Sequence, residues 1–198
     1  FFCIGDVSGK GTPSAMLMAC THSFFRAFAA HENNPARVMQ AVNEAACQGN
    51  ETNMFVTLFI GVLDLPTGRL RYCDAGHDAP ILLSAAPSSL PCNPHLPIGL
   101  FEDIQYQVQA TSLASGSTLL LYTDGVTEAK NVERQQFGLG RLEEVLSSSE
   151  SQRLRSSKEV LGIISDAVRD FVNDAEQSDV LTMLAIRYTP QPFEPVYS

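Results

Sequence analysis

Three aspartates sit at the ends of apolar runs that are far apart in the chain: Asp6 after FFCIG, Asp124 after LLLYT, and Asp179 before VLTMLAI. A carboxylate beside a buried strand is costly unless something pairs with it. A lone one can serve as a turn cap. Three of them brought together by neighbouring strands would repel one another, and a divalent cation relieves that repulsion. An all-oxygen set of this kind suits magnesium or manganese rather than zinc. A bound divalent cation can lower the pKa of a coordinated water.

The stretch GDVSGKGT around Asp6 also suggests a phosphate-cradling loop. A P-loop requires GxxxxGK[ST]. Here Gly5 and Gly9 enclose only Asp6, Val7 and Ser8, and Lys10 is followed by Gly11 instead of a hydroxyl residue. The nucleotide-loop pattern fails at both places. The turn still leads from a strand into a helix, so its backbone N–H groups stay available to an anion. Lys10 has two readings, a phosphate contact or a solvated lysine in a glycine turn. His77, in DAGHDAP, is either a general acid for a leaving oxygen or a turn residue bonded to the backbone. Asp64, Asp74 and Asp78 read as turn formers. Glu128 reads as a helix-start acid or as outer support for Asp124. His22, His31 and His95 show no ligand spacing. Cys3, Cys20, Cys47, Cys73 and Cys92 are odd in number and form no CxxC pair, which fits reduced thiols in a cytoplasmic setting.

Positioning these groups falls to a chain of 198 residues with 44% apolar and 18% charged residues, enough for one domain with a real core. A net charge of −9 argues against nucleic-acid backbone binding, and no apolar run is long enough for a membrane span. An acidic chain can still act on phosphate when a cation supplies the positive charge.

The pattern predicts a strand over 1–7 and a tight turn through Gly11. A helix then starts at Thr12-Pro13, with the threonine hydroxyl as cap, and is apolar enough all round to pack on a broad face. Asn34-Pro35 starts a second helix that runs to about Gln48. From Met54 the texture is β-rich, with an antiparallel hairpin turning at Pro66-Thr67-Gly68. Residues 85–97 read as a surface loop or flap, 104–109 as an edge strand, and 117–125 as a buried strand. Helices follow from Gly140 to about Ser147 and from Lys158 to Val172, separated by a serine-rich loop, Ser147–Ser151. A last buried strand over 180–188 precedes a proline-rich tail. Helices come in adjacent pairs and strands in runs, which favours antiparallel sheets with helices packed outside.

The blocks GDVSGKGTPSAMLMA, FVTLFIGVLD, DAGHDAPILL, LPIGLFED, LLLYTDGVTEAKN, FGLGRL and SDVLTMLAIRY stand in one order. In this they resemble the SpoIIE-like and RsbU-like branch of the metal-dependent (PPM, type 2C) serine/threonine phosphatases. The resemblance implies an α+β fold, a four-layer αββα sandwich of two antiparallel sheets flanked by helix pairs. The phosphatase domain would cover residues 1–188, with 189–198 as a C-terminal tail. It further implies two divalent cations, Mn2+ or Mg2+, held by Asp6 as the bridging ligand, the backbone carbonyl of Val7, Asp124 and Asp179.

The implied substrate is a phosphoserine or phosphothreonine protein, a STAS-type anti-sigma-factor antagonist. The implied setting is the output domain of a bacterial signalling protein, downstream of a sensor or receiver domain, with the helices between Thr12 and Gln48 implicated in switching; contacts of a partner or of a homodimer on that pair would set the position of Asp6. The sequence departs from the family pattern at two places. Val180 stands where the last block usually carries a second acid, and a GGDxxD-like front strand is absent from the residues given. Both speak for the competing reading, a regulatory binding module with the phosphatase fold but weak catalysis.

Overall fold

The computed structural model describes residues 1–48, 50, 53–93, 95–148, 156–175 and 180–190. In chain order its elements are β1 (Phe2–Val7), α1 (Thr12–Ala29), α2 (Pro35–Cys47), β2 (Val56–Asp64), β3 (Arg69–Ala75), β4 (Ile81–Leu83), β5 (Pro87–Ser89), β6 (Gln109–Ser112) and β7 (Thr118–Tyr122). They continue with α3 (Asp124–Thr127), α4 (Gly138–Ser147), α5 (Ser157–Val172) and β8 (Met183–Arg187). Two antiparallel four-stranded sheets result, ordered β1-β2-β3-β6 and β5-β4-β7-β8. The α+β class with helix pairs is as expected. Contacts divide the chain into two compact units, one built from Phe1–His77 and Pro91–Leu113, the other from Asp78–Leu90 and Ala114–Thr189.

In the first unit, β2 shows why alternation works. Val56, Leu58 and Ile60 bury one face against Val38, Met39 and Val42 of α2, joined by Cys73 and Ala75 of β3. Burying each large side chain contributes roughly 1.5–3 kcal/mol. α2 begins where Asn34-Pro35 predicts: the Asn34 side chain accepts from the N–H groups of Ala36 (3.0 Å) and Arg37 (3.4 Å). The hairpin turn also forms as predicted, with Gly68 N–H donating to the Asp64 carbonyl at 2.8 Å.

In the second unit, β7 is buried along its whole length. Ile81, Leu120 and Tyr122 meet Leu142 and Leu146 of α4 and Val160, Ile164 and Val168 of α5. A reciprocal capping box opens α5. The Ser156 hydroxyl accepts from Glu159 N–H at 3.2 Å, and the Glu159 carboxylate accepts from Ser156 N–H at 2.9 Å.

Several expectations need correction. Thr12 is the first helical residue of α1 rather than its cap. Gly11 takes the cap position at φ 87, and no side chain accepts there. The left-handed glycines Gly9 and Gly11 let the chain turn so tightly that Ser14 reaches back to donate to the Ser8 carbonyl at 3.2 Å. α1 also buries far less than its apolar composition suggests. Ser14, Thr21 and Phe25 are buried, whereas Met16 is 63% exposed. The helix rests on α2 and on β1, an edge strand, so only a narrow stripe is covered.

The strand expected at 104–109 starts only at Gln109. Ile104 and Tyr106 alternate because they reach into the helix-side core, and the Tyr106 hydroxyl donates to the Leu96 carbonyl at 3.2 Å. The stretch expected as a loop over 85–97 contains β5, paired with β4 and followed by buried Leu90. β8 is shorter than 180–188 and only half-buried, with Val180 71% exposed. Glu128 closes α3 instead of starting a helix. Residues 149–151 of the expected serine-rich loop and 191–198 of the tail lie outside the described residues.

Candidate functional site

Asp6 occupies the next-to-last position of β1, directly opposite Thr57 of β2. Cys3 and Val7 pack into the helix-side core, so alternation turns Asp6 to the other face of the sheet. Its Oδ1 accepts from the Val7 N–H at 3.0 Å. The Thr57 hydroxyl lies 3.4 Å from the Asp6 carbonyl oxygen and 3.0 Å from Nδ1 of His77. Ser8 secures the chain just beyond: its N–H donates to the Phe55 carbonyl and its hydroxyl accepts from Phe55 N–H, both at 2.8 Å. Gly5 is sterically required, since a Cβ there would stand 2.7 Å from the Thr57 carbonyl oxygen. Lys10 is exposed in the turn.

His77 is buried, and its N–H donates to Oδ1 of the equally buried Asp74 at 2.9 Å. The bond is from the His77 main chain, so Asp74 closes the turn while the ring is left to face Thr57. The residue that sequence reasoning missed is Thr57. No motif marks it, and only the register between β1 and β2 reveals that it faces Asp6.

Asp124 sits in the second unit, at the first position of the one-turn helix α3, and is exposed. Its neighbours Gly125 and Val126 are buried. A Cβ on Gly125 would come within 2.3 Å of the Val180 carbonyl oxygen, so the chain at this point admits only glycine without movement. Thr123 N–H donates to the Thr182 carbonyl at 3.0 Å, and Glu128 N–H returns to the Asp124 carbonyl at 2.7 Å. Beside Gly125 lies a cavity of about 410 Å³ that also takes in Lys130, Arg169, Asn173 and Leu181.

Asp179 lies outside the described residues. Among the described residues, no three histidine, cysteine or acidic side chains group as a metal-holding set. The expected donors that are described, the Asp6 and Asp124 carboxylates and the Val7 carbonyl, are all oxygen, which fits manganese or magnesium. Sulfur does not compete. Burial pushes the Cys3 thiol up to about 11 and, with the nearby Asp74 charge, the Cys73 thiol up to about 12. All five cysteines are free. In the second unit, burial and the charges of Asp78 and Glu143 raise Tyr122 to about 12.

The family model for Stage II sporulation protein E (SpoIIE) matches residues 1–189. Phosphoserine phosphatase RsbU of Bacillus subtilis (strain 168) is 25% identical over 187 residues, which are 93% of this chain and 54% of RsbU. The chain spans about a third to a half of the length of the curated relatives it matches. The SiaA-PP2C domain of Pseudomonas aeruginosa superposes with a TM-score of 0.80 at 20% identity, over 94% of this chain and 74% of that one. RsbX in complex with magnesium superposes with a TM-score of 0.66 at 16% identity, over 92% of this chain and 78% of that one. At these identities the two structures share the fold with this chain.

Proposed function

Because the chain belongs to the SpoIIE family, a family of PP2C-type phosphatase domains, we propose that it hydrolyses phosphoserine or phosphothreonine on a signalling protein. The observation that carries this reading is the placement of Asp6 and Asp124, each where a strand gives way to a turn or helix. The match to the family model over residues 1–189 supports it, as does the name of RsbU, a phosphoserine phosphatase.

Asp6, the Val7 carbonyl, Asp124 and Asp179 would hold two divalent cations, manganese or magnesium, and a relative of the same fold is complexed with magnesium. When bound, the cations supply an activated water and neutralise phosphate charge. The protein's own part is to hold the carboxylates in place and to keep sulfur neutral. Lys10, exposed in the turn after Asp6, is a candidate phosphate contact.

By the family resemblance the substrate is a STAS-type anti-sigma-factor antagonist. Residues 1–188 are then the catalytic output domain of a longer bacterial signalling protein with a sensor or receiver domain upstream. The exposed apolar surface of α1, centred on Met16, suits homodimer contacts. Among the described residues no helix is long and apolar enough to cross a membrane. Five free thiols fit the cytoplasm.

A second reading, a catalytically weak binding module, is favoured by one observation. Val180 is 71% exposed at the position where the family's last block usually carries an acid. Phosphatase assays on a phosphoserine peptide with added Mn2+ separate the two. On the enzyme reading wild type turns over, and Asp124→Ala lowers kcat by at least about a hundredfold, since a ligand should matter no less than the groups that support one. Absence of manganese-dependent turnover in wild type would support the module.

A further inference from the structure

We propose that His77 and Thr57 are positioning residues for Asp6: the imidazole orients the Thr57 hydroxyl, and that hydroxyl holds the peptide unit joining Asp6 to Val7. The inference rests on Asp6 and the Val7 carbonyl being metal ligands, as argued above.

The Thr57 hydroxyl carries one proton and touches two groups, His77 Nδ1 at 3.0 Å and the Asp6 carbonyl oxygen at 3.4 Å. A carbonyl can only accept. The arrangement is therefore satisfied at both ends when Nδ1 carries a hydrogen, donates it to the threonine oxygen, and leaves the hydroxyl proton to Asp6. With Nδ1 bare, the hydroxyl would turn toward the ring and abandon Asp6. The ring has little freedom to leave. It is buried in the turn, and the backbone that carries it is tied down, the His77 main-chain N–H donating to Asp74 Oδ1 at 2.9 Å.

The clamp reaches the carboxylate through a rigid plane. The Asp6 carbonyl and the Val7 N–H belong to one peptide unit, which is planar. Thr57 holds one edge of that unit, and the Val7 N–H on the opposite edge donates to Asp6 Oδ1 at 3.0 Å. Fixing the carbonyl thus fixes the direction of the N–H, and the N–H fixes the carboxylate rotamer. The same plane sets the start of Val7, whose carbonyl is the next donor. His77 therefore acts on Asp6 without touching substrate.

The test is calorimetric Mn2+ titration of the 198-residue chain, with a metal-free thermal melt of every variant. Thr57→Val keeps the shape and removes the hydroxyl. It should weaken Mn2+ binding about tenfold, the low end for groups that orient metal ligands, and Thr57→Ser should restore it. His77→Ala should weaken binding similarly. His77→Asn, whose amide N–H stands near the Nδ1 position, should recover affinity, whereas His77→Gln, whose amide reaches the Nε2 position, should not. The Thr57→Val/His77→Ala pair should bind no more weakly than the worse single variant, because the two act in series.

Wild-type affinity in Thr57→Val, alongside lost binding in Asp6→Ala, overturns the positioning role and leaves the phosphatase reading standing. Failure of wild type to bind Mn2+ overturns both. Should Thr57→Val and His77→Ala not fold, His77→Asn against His77→Gln decides: equal affinities overturn the inference, and selective recovery by asparagine upholds it.

Discussion

The strand ends that carry Asp6 and Asp124 are built in opposite ways. Asp6 is half-buried inside a strand, and side chains set its surroundings: Thr57 on its carbonyl, Ser8 across to Phe55, the His77 ring behind Thr57, and Asp74 on the His77 main-chain N–H. Asp124 is exposed, and main chain sets its surroundings. Gly125 is pressed against the Val180 carbonyl, and bonds run from Thr123 N–H to Thr182 and from Glu128 N–H back to Asp124. A side-chain clamp can be loosened one group at a time, whereas close-packed backbone yields only by shifting the chain. The same contrast extends across the two units. In the first, Asn43 and Asn50 bond the loop at Gly99–Glu102 through their side chains. In the second, the helix-and-sheet packing around β7 does the equivalent work with apolar contacts.

Four substitutions sharpen or break this contrast. Asn43 is fully buried; it donates to the Phe101 carbonyl at 2.8 Å and accepts from Gly99 N–H at 2.9 Å. Asn43→Leu strands both backbone groups, at roughly 1–3 kcal/mol each, so a total loss of about 2–6 kcal/mol is expected in urea unfolding. Gly125→Ala forces a Cβ against the Val180 carbonyl and should cost about 1–3 kcal/mol by the same measurement, the usual range for overpacking. If the alanine proves harmless, backbone packing does not hold the Asp124 corner. The smallest pair compares helix starts. Ser156→Ala removes a real capping box and should cost about 1 kcal/mol. Thr12→Ala removes no cap and should leave the thermal midpoint unchanged or slightly raised, since alanine is the better helix former.

What could be read from the sequence was local. β1, β7 and the β2–β3 hairpin are apolar runs bounded by turn residues, and α2 carries its own start signal at Asn34-Pro35. The aspartates at the strand ends could be picked out for the same reason. Burial could not. α1 is apolar all round, yet it rests on one helix and an edge strand, and composition does not say how much surface a neighbour offers. Alternation over 104–109 reflects the inward packing of Ile104 and Tyr106 and not ladder pairing, and both give a period of two. Thr57 was invisible, since its importance is a matter of register with a strand some fifty residues away. Asp179, outside the described residues, stays a reading of its motif alone.

The raised thiols bear on how the domain would fare in an oxidising cell. Peroxide attacks thiolate, and a thiol held near 11 is ionised in roughly one molecule in ten thousand at neutral pH. Cys3 lies in the same strand as Asp6, and Cys73 and Cys92, each pushed up to about 12, are still less ionised. An oxidant burst that silences enzymes dependent on a cysteine nucleophile therefore meets almost no reactive sulfur around Asp6. The one exposed thiol, Cys20, stands on α1.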